Sequence, residues 1–279
     1  MTTSQPMSAV SRTALAVAGV RALESARPQG LFNDPYAAAF VAASGEPQHP
    51  AASTTGPAGP GGRPEPASAL AKALRFQTVI RTRFYDDHLL AAGCRQVVLL
   101  AAGLDTRAYR LSWPSGTRLY ELDLPPVLEF KEGVLTGLAA VPRCERTALP
   151  ADLLDPRWPD LLRGAGFDPA EPTAWLAEGL LVYLTAEQAA ALLGAVGELS
   201  RPGSRLALER ARTGTTALDD PSLAHITSLW RGGLGPDTAN WLDGHGWSTE
   251  THPLDAVAAR YGRPVTGPSH TGYLTAVRR

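Results

Sequence analysis

Residues 96–106 read QVVLLAAGLDT, an unbroken aliphatic run that ends at Gly103. Such a run is typical of a strand that is buried on both faces of a sheet. Comparable runs lie at 118–125 (RLYELDLP), 144–149 (CERTAL), 173–184 (TAWLAEGLLVYL) and 204–210 (SRLALER). Helical patterns separate them at about 126–138, 156–165 and 186–200. A strand and a helix in every unit of about 25–30 residues predict a doubly wound, mostly parallel α/β sheet.

The segments that flank this core predict a single domain for the whole chain. Its expected parts are N-terminal helices (1–92), the core (93–210), a helical cap insertion (211–245) and C-terminal strands (246–279). Within the first part, residues 44–67 are rich in Pro, Gly and Ser and predict a flexible surface loop. The last part predicts an antiparallel pair of strands at the edge of the sheet, because too little helix separates its two strand-like runs for an ordinary crossover.

Charge and cysteine content exclude several classes of function. Lys plus Arg number 26 and Asp plus Glu 27, a net charge of −1, so we expect no nucleic-acid partner and no membrane partner. No stretch approaches the ~20 apolar residues of a membrane span. Cys94 and Cys144 form no CxxC motif and have no histidine at ligand spacing, which argues against a disulfide scaffold or a structural zinc site. We expect a cytoplasmic protein without a metal; its oligomeric state stays open.

Gly103 marks a candidate ligand site, because ligands of doubly wound sheets bind beyond the carboxyl ends of the strands. A dinucleotide site would require G-x-G-x-x-G. Here Gly103 alone is present, and Arg107 follows where a small residue would stand. The sequence thus disfavours a pyrophosphate-binding loop. The alternative is a glycine that merely ends a strand, with Asp105 capping the next helix.

Carboxylates follow the next three strands. Asp123 lies about 20 residues beyond Gly103, where a carboxylate can accept both ribose hydroxyls, and we prefer it to Glu121. Asp152 with Leu153 is placed to hold an adenine, and Glu178 to oppose a cationic group of the ligand. Alternatively, Asp152 and Glu178 are helix-capping or turn carboxylates. With the altered glycine loop, this pattern favours a nucleoside without a pyrophosphate, and S-adenosylmethionine fits.

Several ordered blocks resemble the leucine carboxyl methyltransferase family. They are RTRFYDD (81–87), VVLLAAGLDTRAYRL (97–111), LYELDLPPVLEFK (119–131), ADLLD (151–155), PTAWLAEGLLVYL (172–184) and RPGSRLALE (201–209). The likeness is strongest to the family's bacterial branch of S-adenosylmethionine-dependent methyltransferases, which includes polyketide carboxyl methyltransferases. It extends from about residue 11 to about residue 210.

The resemblance implies a class I, Rossmann-like methyltransferase fold and S-adenosyl-L-methionine as the cofactor. The cofactor-binding residues that it implies are Arg81, Gly103, Asp123, Asp152, Leu153 and Glu178. Arg81 matches an arginine that binds the cofactor's carboxylate, and Arg83, which lies two residues further along the same block, is the alternative for that role. Arg21 is a looser match to a basic cofactor contact. One departure is Ala101, where the family's eukaryotic members have glycine.

The expected reaction is O-methylation of a small-molecule acceptor of secondary metabolism, at a carboxyl group or, second, a hydroxyl. A carboxylate is ionised at neutral pH and needs no general base, whereas a phenol with a pKa of about 10 benefits from one. No histidine belongs to a recognisable dyad, so no catalytic residue is assigned. Trp230 and Trp241 either stack on the acceptor or anchor the cap. The alternatives are an NAD(P)-dependent oxidoreductase and a catalytically silent cofactor-binding protein.

Overall fold

A seven-stranded mixed sheet forms the centre of the protein in a computed structural model, which describes residues 9–45, 55–58, 64–66, 69–210, 227–265 and 271–279. Its strands are β3 (Gln96–Leu100), β4 (Arg118–Asp123), β5 (Glu145–Pro150), β6 (Thr173–Ala177), β7 (Arg205–Arg210), β8 (Trp247–Pro253) and β9 (Gly272–Arg278). The spatial order is β5-β4-β3-β6-β7-β9-β8. Strands β3 to β7 are parallel, and β9 pairs antiparallel with both β7 and β8. The predicted fold class is confirmed.

Helices cover both faces of this sheet. They are α1 (Ala9–Ser25), α2 (Ala37–Ser44), α3 (Ala69–Ala91), α4 (Arg107–Arg110), α5 (Pro125–Gly137), α6 (Trp158–Gly164), α7 (Ala186–Glu198), α8 (Thr238–Gly244) and α9 (Leu254–Arg260). Every residue of β3 is buried. Its alternate side chains enter two separate apolar clusters: Val97 and Leu99 join the one that includes α1 and α3, and Val98 and Leu100 join the one that includes α6 and α7. The aliphatic run is therefore buried on both faces, as expected for a parallel strand.

The strand predicted at 173–184 is wrong beyond Ala177. The backbone turns at Gly179, whose φ of +64° is a left-handed conformation that favours glycine. A short 3₁₀ helix, Leu181–Tyr183, follows. The apolar residues after Gly179 thus line the carboxyl edge of the sheet instead of extending it.

Two predicted segments lie partly outside the described residues. Within 44–67, residues 55–58 (β1) and 64–66 (β2) pair antiparallel, so this stretch contains some regular structure. Of the cap insertion, 227–245 is described. There Trp230 packs against Leu70, Ala71 and Leu74 of α3, and Trp241 stacks on His245 with ring centroids 3.7 Å apart. Trp241 also packs against the second apolar cluster, so both indoles contact side chains outside the cap.

The described part of the cap is also attached to the turn after β6. The backbone nitrogen of Arg231 donates to the Val182 carbonyl at 2.7 Å, and that of Gly233 donates to the Leu184 carbonyl at 2.9 Å. The cap thus borders the same edge of the sheet as the residues that follow β6. Among the described helices, none has the length and apolar content needed to cross a membrane.

Candidate functional site

A cavity of about 320 Å³ opens at the carboxyl ends of β3, β4 and β6. This volume lies within the range of small-molecule sites, about 300–1,000 Å³. The structure brings all six predicted site residues to its lining: Arg81, Gly103, Asp123, Asp152, Leu153 and Glu178. Arg21 of α1 also lines it.

Arg81 and Arg83 differ in their position on α3 relative to the cavity. Arg83 is 42% exposed and pairs with Asp87 at 3.0 Å, one turn along the same helix. It also donates to the Leu31 carbonyl. Arg83 is absent from the described lining of the cavity, whereas Arg81 is part of it.

Asp123 ties the end of β4 to the loop after β3. Its Oδ2 atom accepts the Gly103 N–H at 2.5 Å, and its Oδ1 accepts the Leu124 N–H at 2.7 Å. Burial raises the pKa of Asp123, although both amide bonds oppose that shift. Each carboxylate oxygen has two acceptor sites, so Asp123 keeps capacity for a ligand's hydroxyl donors.

Glu121, one step back on β4, has a different environment. Its carboxylate is fully buried and accepts hydrogen bonds from Lys131 at 2.6 Å and from Arg146 at 2.7 Å. It does not appear in the described lining of the cavity. Of the two acids on β4, therefore, the geometry presents Asp123 to a ligand.

Asp152 and Leu153 form one rim of the cavity, after β5. Asp152 is exposed, and its Oδ1 accepts the Leu154 N–H at 2.9 Å. It is thus a turn carboxylate, as one alternative held, and it lines the cavity as well. Leu153 is half-buried against the second apolar cluster, which leaves an apolar surface beside the carboxylate.

Arg81 and Glu178 form an ion pair at the opposite end of the cavity. Arg81 Nε lies 2.8 Å from Glu178 Oε1, and Arg81 Nη1 lies 2.8 Å from Glu209 Oε1. Both oxygens of Glu209 also lie 2.7 Å from the Gly179 nitrogen. The side-chain hydrogen bonds of Arg81 to described residues use its Nε and Nη1 atoms, and none uses Nη2.

The charges around Glu178 keep it ionised. Burial would raise the pKa of Glu178, but Arg107 and Arg81 outweigh burial and lower it below its ordinary value. Asp105 behaves similarly: burial opposes the shift, yet Arg107 and more distant cations lower its pKa to about 2. Glu209 differs, because burial raises its pKa despite Arg81.

Sequence reasoning missed Glu209 and the role of Arg107. Arg107 is 1% exposed and bonds Asp86, Asp105 and Glu178. Asp105 Oδ1 accepts the Arg107 N–H at 2.6 Å in a turn before α4, whose N-cap residue is Thr106. The sequence contained one indication: an arginine stands where a dinucleotide loop has a small residue.

The residues of the cavity match the chemical groups of S-adenosylmethionine. A carboxylate with spare acceptor capacity suits a ribose diol, and the leucines near Asp152 suit a planar base. Glu178 and the Nη2 of Arg81 supply opposite charges for an amino-acid zwitterion. At Gly103, a side-chain Cβ would stand 3.5 Å from the Ala14 Cβ, so glycine leaves that space open to a ligand.

The sheet order, the antiparallel last strands and the cavity at the carboxyl ends define a class I, Rossmann-like methyltransferase. A protein from Thermobifida fusca YX, described as a methyltransferase, has the same fold. The two structures superpose with a TM-score of 0.53 at 19% sequence identity, over 95% of this chain and 93% of that chain.

Sequence comparison gives the family. The model of the leucine carboxyl methyltransferase family matches residues 14–197, and the chain belongs to this family. Relatives from Parafrankia sp. (strain EAN1pec) and Frankia alni are each 49% identical over 97% of this chain, and the matches cover 87% and 95% of their lengths. Both are named S-adenosyl-L-methionine-dependent methyltransferases. The protein is therefore a methyltransferase that uses S-adenosylmethionine, and the oxidoreductase and silent-protein alternatives are dropped.

Proposed function

We propose that this enzyme transfers a methyl group to the carboxylate oxygen of a small molecule of secondary metabolism. A hydroxyl acceptor is the second candidate. The observation that carries the proposal is the ion pairing at one end of the cavity: Glu178 lies between Arg81 and Arg107, and Asp105 pairs with Arg107, which lowers the pKa of both acids. No histidine is among the described residues that line the cavity.

In this proposal, different residues of the cavity bind different parts of the cofactor. Asp123 accepts the ribose hydroxyls, and the Asp152–Leu153 pair holds the adenine. Glu178 faces the ammonium group, Arg81 faces the carboxylate through its Nη2, and Gly103 allows close approach of the backbone. The bound cofactor supplies an electrophilic methyl group on a sulfonium. The support is the matching donor set described above and the shared cavity.

In this proposal, the wall of the cavity positions the reactants and excludes water. It is not required to transfer a proton. Methyl transfer to an ionised carboxylate requires alignment and desolvation but no general base. A phenol, with a pKa of about 10, gains roughly 10²–10⁴-fold in rate from a base. Acids that arginines hold ionised are weak proton acceptors. The cavity therefore favours a methyl acceptor that is already ionised when it binds.

We also propose that the chain acts as one domain, with the described part of the cap, residues 227–245, on the acceptor side. The support is the attachment of Arg231 and Gly233 to the turn after β6. That turn carries Tyr183, which lines the cavity. The cap thereby borders the end of the cavity that holds Glu178.

The experiment incubates the enzyme with S-adenosylmethionine carrying a labelled methyl group and with a panel of small carboxylic acids, each matched by its alcohol or phenol analogue. Products are then treated with mild base, which releases labelled methanol from methyl esters but not from methyl ethers. We expect base-labile label from acids of the panel. Base-stable label confined to the phenols would contradict the carboxylate proposal and favour the hydroxyl candidate.

A further inference from the structure

We infer that Arg107 is a positioning residue of the methyl-transfer site: its guanidinium holds the carboxylates of Glu178 and Asp105 in one fixed arrangement at the cavity wall. The inference rests on the proposed function, in which Glu178 faces the cofactor. Arg107 acts through Glu178 and is not itself assigned a contact with the cofactor.

The contacts of Arg107 join three parts of the fold. Its Nε donates to Asp86 Oδ1 at 2.7 Å, and its Nη2 donates to the Thr82 carbonyl at 3.4 Å, both on α3. Its Nη1 donates to Glu178 Oε2 at 2.7 Å and also pairs with Asp105 Oδ2. Helix α3, the loop after β3 and the turn after β6 thus meet at one side chain.

Glu178 is held from both sides as a result. Arg107 binds its Oε2, and Arg81 Nε binds its Oε1 at 2.8 Å. A carboxylate with a charged partner on each oxygen loses its freedom to rotate, since rotation breaks two charge-assisted hydrogen bonds together. Such fixed orientation is what a binding group requires from its supporting residues.

Arg107 is also one of the two cations that pair with Glu178. The charged groups around this carboxylate are Arg107 from α4, Arg81 from α3 and Asp105 from the loop after β3. Arg81 is shared with Glu209 of β7. Tyr85 of α3 and Tyr273 of β9 also lie within electrostatic range of Glu178. Without Arg107, Glu178 would remain buried beside Asp105. Its remaining cation would be Arg81, which also pairs with Glu209.

Arg110 provides a matched control on the same helix. Its side chain is 5% exposed, and it binds Asp86 through Nη1 at 2.5 Å and through Nη2 at 2.7 Å. Substitution of either arginine therefore leaves Asp86 with one fewer cation. Of these two arginines, Arg107 hydrogen-bonds Glu178 and Asp105, whereas the described hydrogen bonds of the Arg110 side chain go to Asp86.

The test measures the dissociation constant of S-adenosylhomocysteine by calorimetry between about pH 5.5 and about pH 8, where an ordinary carboxyl is ionised. The proteins are wild type, Arg107→Gln, Arg107→Lys, Arg110→Gln and Glu178→Gln, each with its thermal unfolding recorded. We expect the same pH profile for wild type and for Arg110→Gln. Arg107→Gln should bind at least about tenfold more weakly at neutral pH, and the loss should grow as the pH falls because Glu178 takes up a proton.

Arg107→Lys keeps the inference testable if the glutamine variant does not fold. One ammonium cannot span the partners of a guanidinium, so this variant should show the same pH dependence with a smaller loss. A folded Arg107 variant with the pH profile and affinity of wild type would overturn the inference, as would an equal effect in Arg110→Gln. If Glu178→Gln binds as tightly as wild type, the proposed role of Glu178 fails instead, and the two failures are therefore distinguishable.

Discussion

Asp123 Oδ2 lies 2.5 Å from the backbone nitrogen of Gly103, so a carboxylate at the end of β4 holds the loop that follows β3. The two strands are parallel neighbours, and the Ala102 N–H also donates to the Leu122 carbonyl at 3.0 Å. One side chain therefore shapes the glycine loop and presents a carboxylate to the cavity. Loss of Asp123 should affect both.

Asp123→Ala should weaken binding of S-adenosylhomocysteine by about 1.5–3 kcal/mol, the usual contribution of hydrogen bonds that involve a charged group. The reason is the loss of the acceptor proposed for the ribose hydroxyls, together with the loss of the bond that orders Gly103. Isothermal titration calorimetry of the variant and wild type at one pH measures the difference.

Glu121→Gln is the control on the same strand, and it should change stability instead of affinity. Glu121 is fully buried with Lys131 at 2.6 Å, and removal of one partner leaves a buried charge unpaired. Such losses cost roughly 3–5 kcal/mol of unfolding free energy, which urea denaturation measures. An affinity loss from Glu121→Gln larger than that from Asp123→Ala would show that the wrong acid on β4 is assigned to the ribose.

Ala101 occupies a left-handed backbone conformation in the lining of the cavity, with φ of +51°. Ala101→Gly should keep stability within about 1 kcal/mol, because relief of the Cβ penalty offsets the entropy of glycine. Ala101→Val should lose about 1–3 kcal/mol, since a β-branched residue is strained there, and should also weaken binding of S-adenosylhomocysteine.

Ala139 separates those two effects of the valine substitution. Its φ is +50°, but its side chain is exposed and is not part of the described cavity lining. Ala139→Val should lose stability and keep the affinity of wild type. Equal affinity in Ala101→Val and Ala139→Val would mean that Ala101 does not border the bound ligand.

The sequence predicted the core strands because short, continuous aliphatic runs are typical of strands that are buried on both faces of a parallel sheet. The prediction from sequence failed where an apolar composition is typical of a strand but the backbone turns away from the sheet. The residues after Gly179 are as apolar as those of a strand, yet the left-handed glycine turns the chain out of the sheet. The run of Pro, Gly and Ser at 44–67 likewise gave no indication that 55–58 and 64–66 pair.

The candidate site was predictable as far as it depends on strand ends. Acids that follow neighbouring parallel strands meet at one edge of the sheet, which is why Asp123 and Glu178 line the same cavity. The arginine pairs that hold Glu178 were not predictable. Arg81 and Arg107 meet it across 97 and 71 residues of chain, and no local periodicity encodes such contacts.

His88 should make the protein less stable as the pH falls below neutral. Burial, Arg205 and His252 lower its pKa to about 4 in the folded state, against about 6.5 in the unfolded chain. Between these values the unfolded state binds the proton and the folded state does not, so the unfolding free energy falls with pH. Its contribution to the loss between pH 7 and about pH 4.5 is roughly 2 kcal/mol.

Urea denaturation of His88→Gln at pH 7 and at about pH 4.5 tests whether His88 causes this loss of stability. The variant should lose about 2 kcal/mol less than wild type on acidification. An unchanged acid loss in His88→Gln would show that His88 does not carry the effect.

The most direct measurement of the proposed cofactor site is a crystal structure with S-adenosylhomocysteine bound. We predict the ligand in the cavity at the carboxyl ends of β3, β4 and β6, with its ribose hydroxyls on Asp123, its adenine beside Asp152 and Leu153, and its amino-acid end between Glu178 and Arg81. A ligand bound elsewhere, or one in this cavity whose ribose does not contact Asp123, would contradict the account.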